Sequence, residues 1–99
     1  MTRDALEQRW LVLTRETMPA LAGPRGWPVR NDHCFQRILL DAAVGGVWYD
    51  AIPKRPAYAH ADTALLTRAI ELGNAVIDGR ADLFALNRQS LAWRGKMPA

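Results

Sequence analysis

Cysteine occurs once in this chain, at Cys34, and serine once, at Ser90. A single thiol allows no intramolecular disulfide, and a lone free cysteine fits a reducing compartment. Histidine occurs twice, at His33 and His60. Structural zinc takes four ligands, chiefly Cys and His. Here there are three such side chains, and two of them are adjacent, so no metal is expected. Long apolar runs are also missing. None exceeds four residues, Trp10 to Leu13 being one of them, whereas a membrane-spanning helix needs about 20. The stretch from Met1 to Arg9 carries Arg3, Asp4, Glu7 and Arg9 where a signal peptide would need an apolar core. A cytoplasmic protein with no membrane partner is the expectation.

Glycine patterns that cradle phosphates are absent. There is no Walker loop and no dinucleotide fingerprint, so no cofactor is expected. Gly45-Gly46 reads as a helix stop. Ser90 lacks the surroundings of a nucleophile elbow. Strand-type alternation of apolar and polar residues, internal repeats and low-complexity tracts are absent as well.

What is present is a chain of 99 residues, 49% hydrophobic, with four tryptophans. That is one domain, long enough to bury a core without staples. The net charge of +3 is uneven: residues 1–23 are neutral, 24–60 carry +2, 61–79 carry −2 and 80–99 carry +3.

Four helices are predicted. The first runs from Arg3 to Met18, capped by Thr2, with Leu6, Trp10, Leu13 and Thr17 at helical spacing. Pro19 makes Met18 its boundary, with Ala20-Leu21-Ala22 as an added turn. Gly23 to Pro28 is a loop. The second helix runs from Asp32 to about Val44 behind Asn31 as N-cap, and the third from about Asp62 to Asp78. The fourth spans about Ala81 to Trp93, closed by Gly95, with Lys96 to Ala99 expected to fray. Residues 47–60 read equally as a helical turn or a short hairpin. The fold expected is all-α, a compact bundle of about four helices with an irregular middle segment. Trp10, Leu13, Ile38, Leu39, Leu66, Ile70, Val76 and Leu86 should share one core.

The stretch from Trp27 to Arg37 holds most of the chemistry. On the second helix His33, Arg37 and Asp41 stand one above another, and Cys34, Ile38 and Ala42 form the adjacent line toward the core. The plainer reading pairs Arg37 with Asp41 on the surface. Cys34 lies near a helix N-terminus beside His33, which favours a thiolate. Adjacent helical positions point about 100° apart, however, so His33 is poorly placed as its base. No catalytic set is complete, and no catalytic residue is assigned. The expected ligand-binding residues are His33, Arg37, Trp48, Arg55, His60 and Arg94. His33 and Arg37 should face the segment Trp48 to His60 and line the main concave site, because Trp48, Tyr49, Ile52 and Tyr58 are too apolar to hang in solvent.

Several strings together resemble a known family: Leu13-Thr14-Arg15-Glu16-Thr17-Met18-Pro19, Trp27 to Ile38, Trp48-Tyr49-Asp50, Arg55-Pro56-Ala57-Tyr58 and Ser90 to Lys96. They are similar to a small family of alphaproteobacterial proteins of about this length, and the resemblance runs from Trp10 to Lys96. It implies no established activity, although members often carry an N-acetyltransferase label. The acetyltransferase signature needs Arg or Gln three positions before a glycine that wraps the acetyl-CoA pyrophosphate. No glycine here has one.

The function expected is a non-enzymatic helical module that binds a partner protein or a small acidic ligand, with a homodimer contact included among the partners. The alternatives are a small acyltransferase-like enzyme and a weak nucleic-acid binder. The basic footprint for nucleic acid is sparse: Arg37 alone in the second helix, Arg88 and Arg94 near the end of the fourth.

Overall fold

The computed structural model describes residues 1–96. All regular structure among them is helical, and no strand forms, so the short hairpin considered for residues 47–60 is not present. The elements are α1 (Arg3–Val12), a π turn (Leu13–Thr17), α2 (Met18–Ala22), α3 (Asp32–Val44), a 3-10 turn (Trp48–Asp50), the one-turn α4 (Ala57–His60), α5 (Thr63–Ile77) and α6 (Leu83–Trp93). Thr2 caps α1 by accepting from the Ala5 N–H, and Asp62 and Asp82 cap α5 and α6 in the same way. Asn31 has the extended backbone of an N-cap, but its side chain makes no capping bond. The fourth helix starts at Leu83, two residues later than expected, because Asp82 is its cap.

Pro19 does not end the first helix; it distorts it. Proline offers no N–H to the carbonyl one turn back, and its ring would collide with that carbonyl in α geometry. The backbone widens instead, and the Met18 N–H donates to Leu13 O, five residues back. The wide turn rotates the buried face by about one position. Leu6, Trp10 and Leu13 are buried, then Thr14, Met18 and Ala22, while Thr17 is exposed. Thr17 therefore does not continue the stripe. The buried Thr14 hydroxyl donates to Trp10 O and accepts from Gln36 Nε2, so both its capacities are used.

Helix α3 is the centre of the molecule. It packs against α5, α6, the π turn, α2 and the 3-10 turn, while α1 covers α5 and α4. The core joins Trp10, Leu13 and Met18 to Phe35, Ile38 and Leu39 of α3 and to Leu66, Ile70 and Val76 of α5. Leu86 is half-buried at its margin rather than inside it. The tryptophans divide: Trp10 is fully buried, Trp27 packs edge-on against Phe35, Trp48 is half-buried and Trp93 is exposed. Lys96 is not frayed, since its N–H donates to Leu91 O and closes α6; Met97 to Ala99 lie outside the described residues.

Gly73 lets α5 approach closely. A Cβ there would sit 2.5 Å from Leu13 Cδ2 and 3.1 Å from Leu39 Cδ1. In an open helix, Gly to Ala stabilises by about 1 kcal/mol. At this site the added methyl must displace Leu13 inside a packed core, where overpacking costs roughly 1–3 kcal/mol. Gly73→Ala is therefore expected to destabilise by about 1 kcal/mol in a urea melt. A stabilised variant would mean that Leu13 swings aside freely.

The segment from Ala51 to Ala61 is strapped across α1 and α3. Ile52 and Ala61 are buried at its two ends. Arg3 fixes its middle, donating from Nη2 to Tyr58 O at 2.8 Å, from Nη1 to Thr63 Oγ1 at 2.9 Å and from Nε to Glu7 at 2.7 Å. The strap forms one wall of the site described next.

Candidate functional site

A cavity of about 240 Å³ lies between α3 and the strap, with Trp10 of α1 against it. From α3 come His33, Gln36, Arg37 and Leu40; from the strap and the turn before it come Trp48, Arg55, Pro56, Ala57 and Tyr58; Arg15 comes from the π turn. Four of the six expected residues therefore line one site: His33, Arg37, Trp48 and Arg55. His60 and Arg94 are not among its lining residues. His60 ends α4 as an exposed side chain. Two larger depressions, of about 340 Å³ along α1 and α5 and about 310 Å³ between α3 and α5, are more open to solvent. The first brings one guanidinium, Arg9, and the second sets Arg68 beside Glu71. Of these three, the α3–strap cavity is the one that gathers cationic side chains against aromatic walls.

Arg37 does not pair with Asp41. Its Nη1 donates to Ser90 Oγ at 2.7 Å and its Nη2 to Asn87 Oδ1 at 2.9 Å, both on α6. Among the described residues no carboxylate pairs with it. Its charge is held in place by neutral groups, and among the described residues its other N–H donors make no hydrogen bond.

Asp41 is fully buried, which corrects the expectation of a surface residue. Its partner is Arg94, which donates from Nε to Oδ2 at 2.8 Å and from Nη2 to Oδ1 at 3.0 Å. Ser90 Oγ donates to Oδ2 at 2.7 Å and the Trp48 N–H to Oδ1 at 2.9 Å. All its acceptor positions are thereby used, as burial of a carboxylate requires. The hydrogen bond to Asp41 holds the Arg94 guanidinium above the ordinary arginine value, against desolvation, and the charges of Asp41 and Tyr49 act in the same direction. Ser90 joins the two systems, accepting from Arg37 while donating to Asp41. Arg94 thus positions α6 and, through Asp41, the 3-10 turn before the strap, behind the cavity instead of lining it.

Arg15 and His33 are the outer groups of the site. Asp32 lies between them, 3.9 Å from Arg15 Nε and 3.6 Å from His33 Nδ1. Arg55 lies over the Trp48 ring, 5.2 Å from its centroid, and Tyr49 meets Trp48 edge-on. Cys34 is half-buried and is not part of the lining. Among the described residues no three His, Cys, Asp or Glu side chains converge as a metal site would need. No helix of the described residues is long and apolar enough to cross a membrane.

Sequence reasoning missed Arg15 and Gln36. Arg15 and Gln36 belong to the first and second helices, and only the packing of those helices brings them to one cavity. The burial of Asp41 did leave a signal: it stands between the apolar triplets Ile38–Leu40 and Ala42–Val44, where a solvated carboxylate is out of place. No family model matches the chain, and comparisons with curated proteins and with solved structures gave no match.

Proposed function

We propose that this protein is a non-enzymatic binding module for a small anionic ligand, held in the cavity between α3 and the strap. The observation that carries the reading is the lining itself. Three guanidiniums, Arg15, Arg37 and Arg55, and the imidazole of His33 surround an aromatic-walled cavity with no carboxylate among its lining residues. Like charges gathered at one place repel, and an anion relieves that repulsion. Arg37 is already oriented by Ser90 and Asn87, so little rotamer entropy remains to be lost on binding. Asp32 tempers the charge at one end without closing the site.

Binding is favoured over catalysis because the groups present can hold an anion but do not form a nucleophile with an oriented base. The acetyltransferase alternative depends on an acetyl-CoA cradle following a bulged strand of a mixed sheet, and the described residues contain no strand on which to build one.

The test is a melting curve and an amide-resonance titration with inorganic phosphate, run against chloride at matched ionic strength. A ligand that binds only the folded state stabilises it, by about 2.7 kcal/mol at 100 times Kd. The expected result is a rise in melting temperature with shifts centred on His33 to Leu40 and Trp48. Arg37→Gln should weaken binding at least about tenfold, since a charge-assisted bond is worth roughly 1.5–3 kcal/mol. Shifts scattered over the whole basic surface, unchanged in Arg37→Gln, would refute the reading. Duplex DNA binding that falls steeply with salt would favour the nucleic-acid alternative instead.

A further inference from the structure

We infer that the ligand is an amphipathic anion of about one ring: a flat apolar or aromatic body carrying a single phosphate or carboxylate head. The inference rests on the anion-binding reading above and concerns what the rest of the cavity is for. Along α3 the lining changes character. His33, Arg37 and Leu40 stand in succession along one side, and at 1.5 Å of rise per residue they span about 10 Å. The His33 end is the charged end, because Arg15 approaches Asp32 there. The Leu40 end is walled by Leu40 and the Trp48 indole, with the Arg55 guanidinium lying over that indole. The Trp48 N–H is tied to Asp41, the residue after Leu40, which anchors that indole beside it. Arg37 stands midway, fixed from α6.

An inorganic anion would use the Arg15–Arg37 half and leave the other half filled with water against Leu40 and Trp48. Apolar walls gain nothing from such water, whereas a ring placed against them is withdrawn from solvent. Size sets the upper limit. The cavity of about 240 Å³ lies below the roughly 300–1,000 Å³ typical of drug-sized ligands. It holds about eight water volumes of ~30 Å³ each. A substituted benzene fits that space, while a nucleotide is too large to fit whole. Arg55, lying over Trp48 at the strap, covers the ring end from solvent.

The experiment is isothermal titration of the full chain with phenyl phosphate, inorganic phosphate and phenol, followed in parallel by tryptophan fluorescence. Phenyl phosphate should bind at least about tenfold more tightly than either half, and it alone should perturb Trp48 emission strongly. Trp48→Leu should weaken phenyl phosphate and leave inorganic phosphate nearly unchanged, whereas Arg55→Gln, which removes a site charge and the cover over Trp48, should weaken both. Arg37→Gln should weaken both anions. Circular dichroism shows whether each variant is folded, and Arg55→Gln removes no buried group. Equal affinity for inorganic and phenyl phosphate would overturn the inference while leaving the anion reading intact. Phenol binding as tightly as phenyl phosphate would overturn the anion reading. Binding of none of the three would overturn both.

Discussion

Replacing Arg94 by alanine is expected to destabilise the protein by about 3–5 kcal/mol, the cost of leaving a buried carboxylate without its counter-charge. Asp41 has no solvent exposure, and the Arg94 side chain has 18%. The variant removes both charge-assisted bonds to Asp41 and leaves it with only Ser90 Oγ and the Trp48 N–H. A domain of this size loses roughly 4–8 °C of melting temperature per kcal/mol, so the melt should fall by roughly 12–40 °C. Arg94→Lys should recover part of the loss, because an ammonium supplies the charge without the planar fork. Combining Arg94→Ala with Asp41→Ala should cost less than the sum of the two, which is the signature of direct coupling. A loss below 1 kcal/mol for Arg94→Ala would show that water reaches Asp41 easily.

The pH dependence follows from the sign of the Arg94 shift. The guanidinium is held above its ordinary value in the folded state, chiefly by the hydrogen bond to Asp41. A group raised in this way contributes stability that is fully present below its unfolded value and is lost only as pH rises past the folded one. For arginine that window lies in strong alkali. Arg94 therefore contributes no step of its own to a stability profile taken across neutral pH.

The second large effect is expected at Trp10. Its side chain is fully buried, joins α1 to the core and also lines the cavity. Truncation to alanine in such a place costs about 3–5 kcal/mol. Thr14 bonds to the Trp10 carbonyl, and Gln36 in turn bonds to Thr14. Collapse around the missing indole would therefore disturb the wall of the site as well as the core. Trp10→Phe should cost less in a denaturant melt, because it keeps an apolar ring. If Trp10→Ala melted like the wild type, the packing of α1 described above would be wrong.

The four long helices were legible in the sequence because their causes are local. Periodicity of 3.6 and caps such as Thr2 and Asp62 act within a few residues of each other, so α1, α3 and α5 begin where those residues stand. The apolar content of Trp48 to Tyr58 likewise indicated that the strap must lie back on the helices, and it brings Trp48 and Arg55 to the cavity shared by His33 and Arg37. Three matters were decided only by tertiary structure. The π turn at Leu13–Thr17 moved the buried face from Thr17 to Thr14 and Met18, because the response to Pro19 depends on what the following turn can bury. Arg94 pairs with Asp41 across 53 positions of sequence, and Arg37 reaches Asn87 and Ser90 across 50 and 53. A helical wheel shows that His33, Arg37 and Asp41 share a line, but not what covers it. In the folded chain α6 covers the Asp41 end and leaves the His33 end open, which turns one polar line into a buried ion pair at one end and a cationic pocket at the other. Periodicity fixes which residues share a face, whereas the cost of burying charge is settled only when a second element supplies the partner.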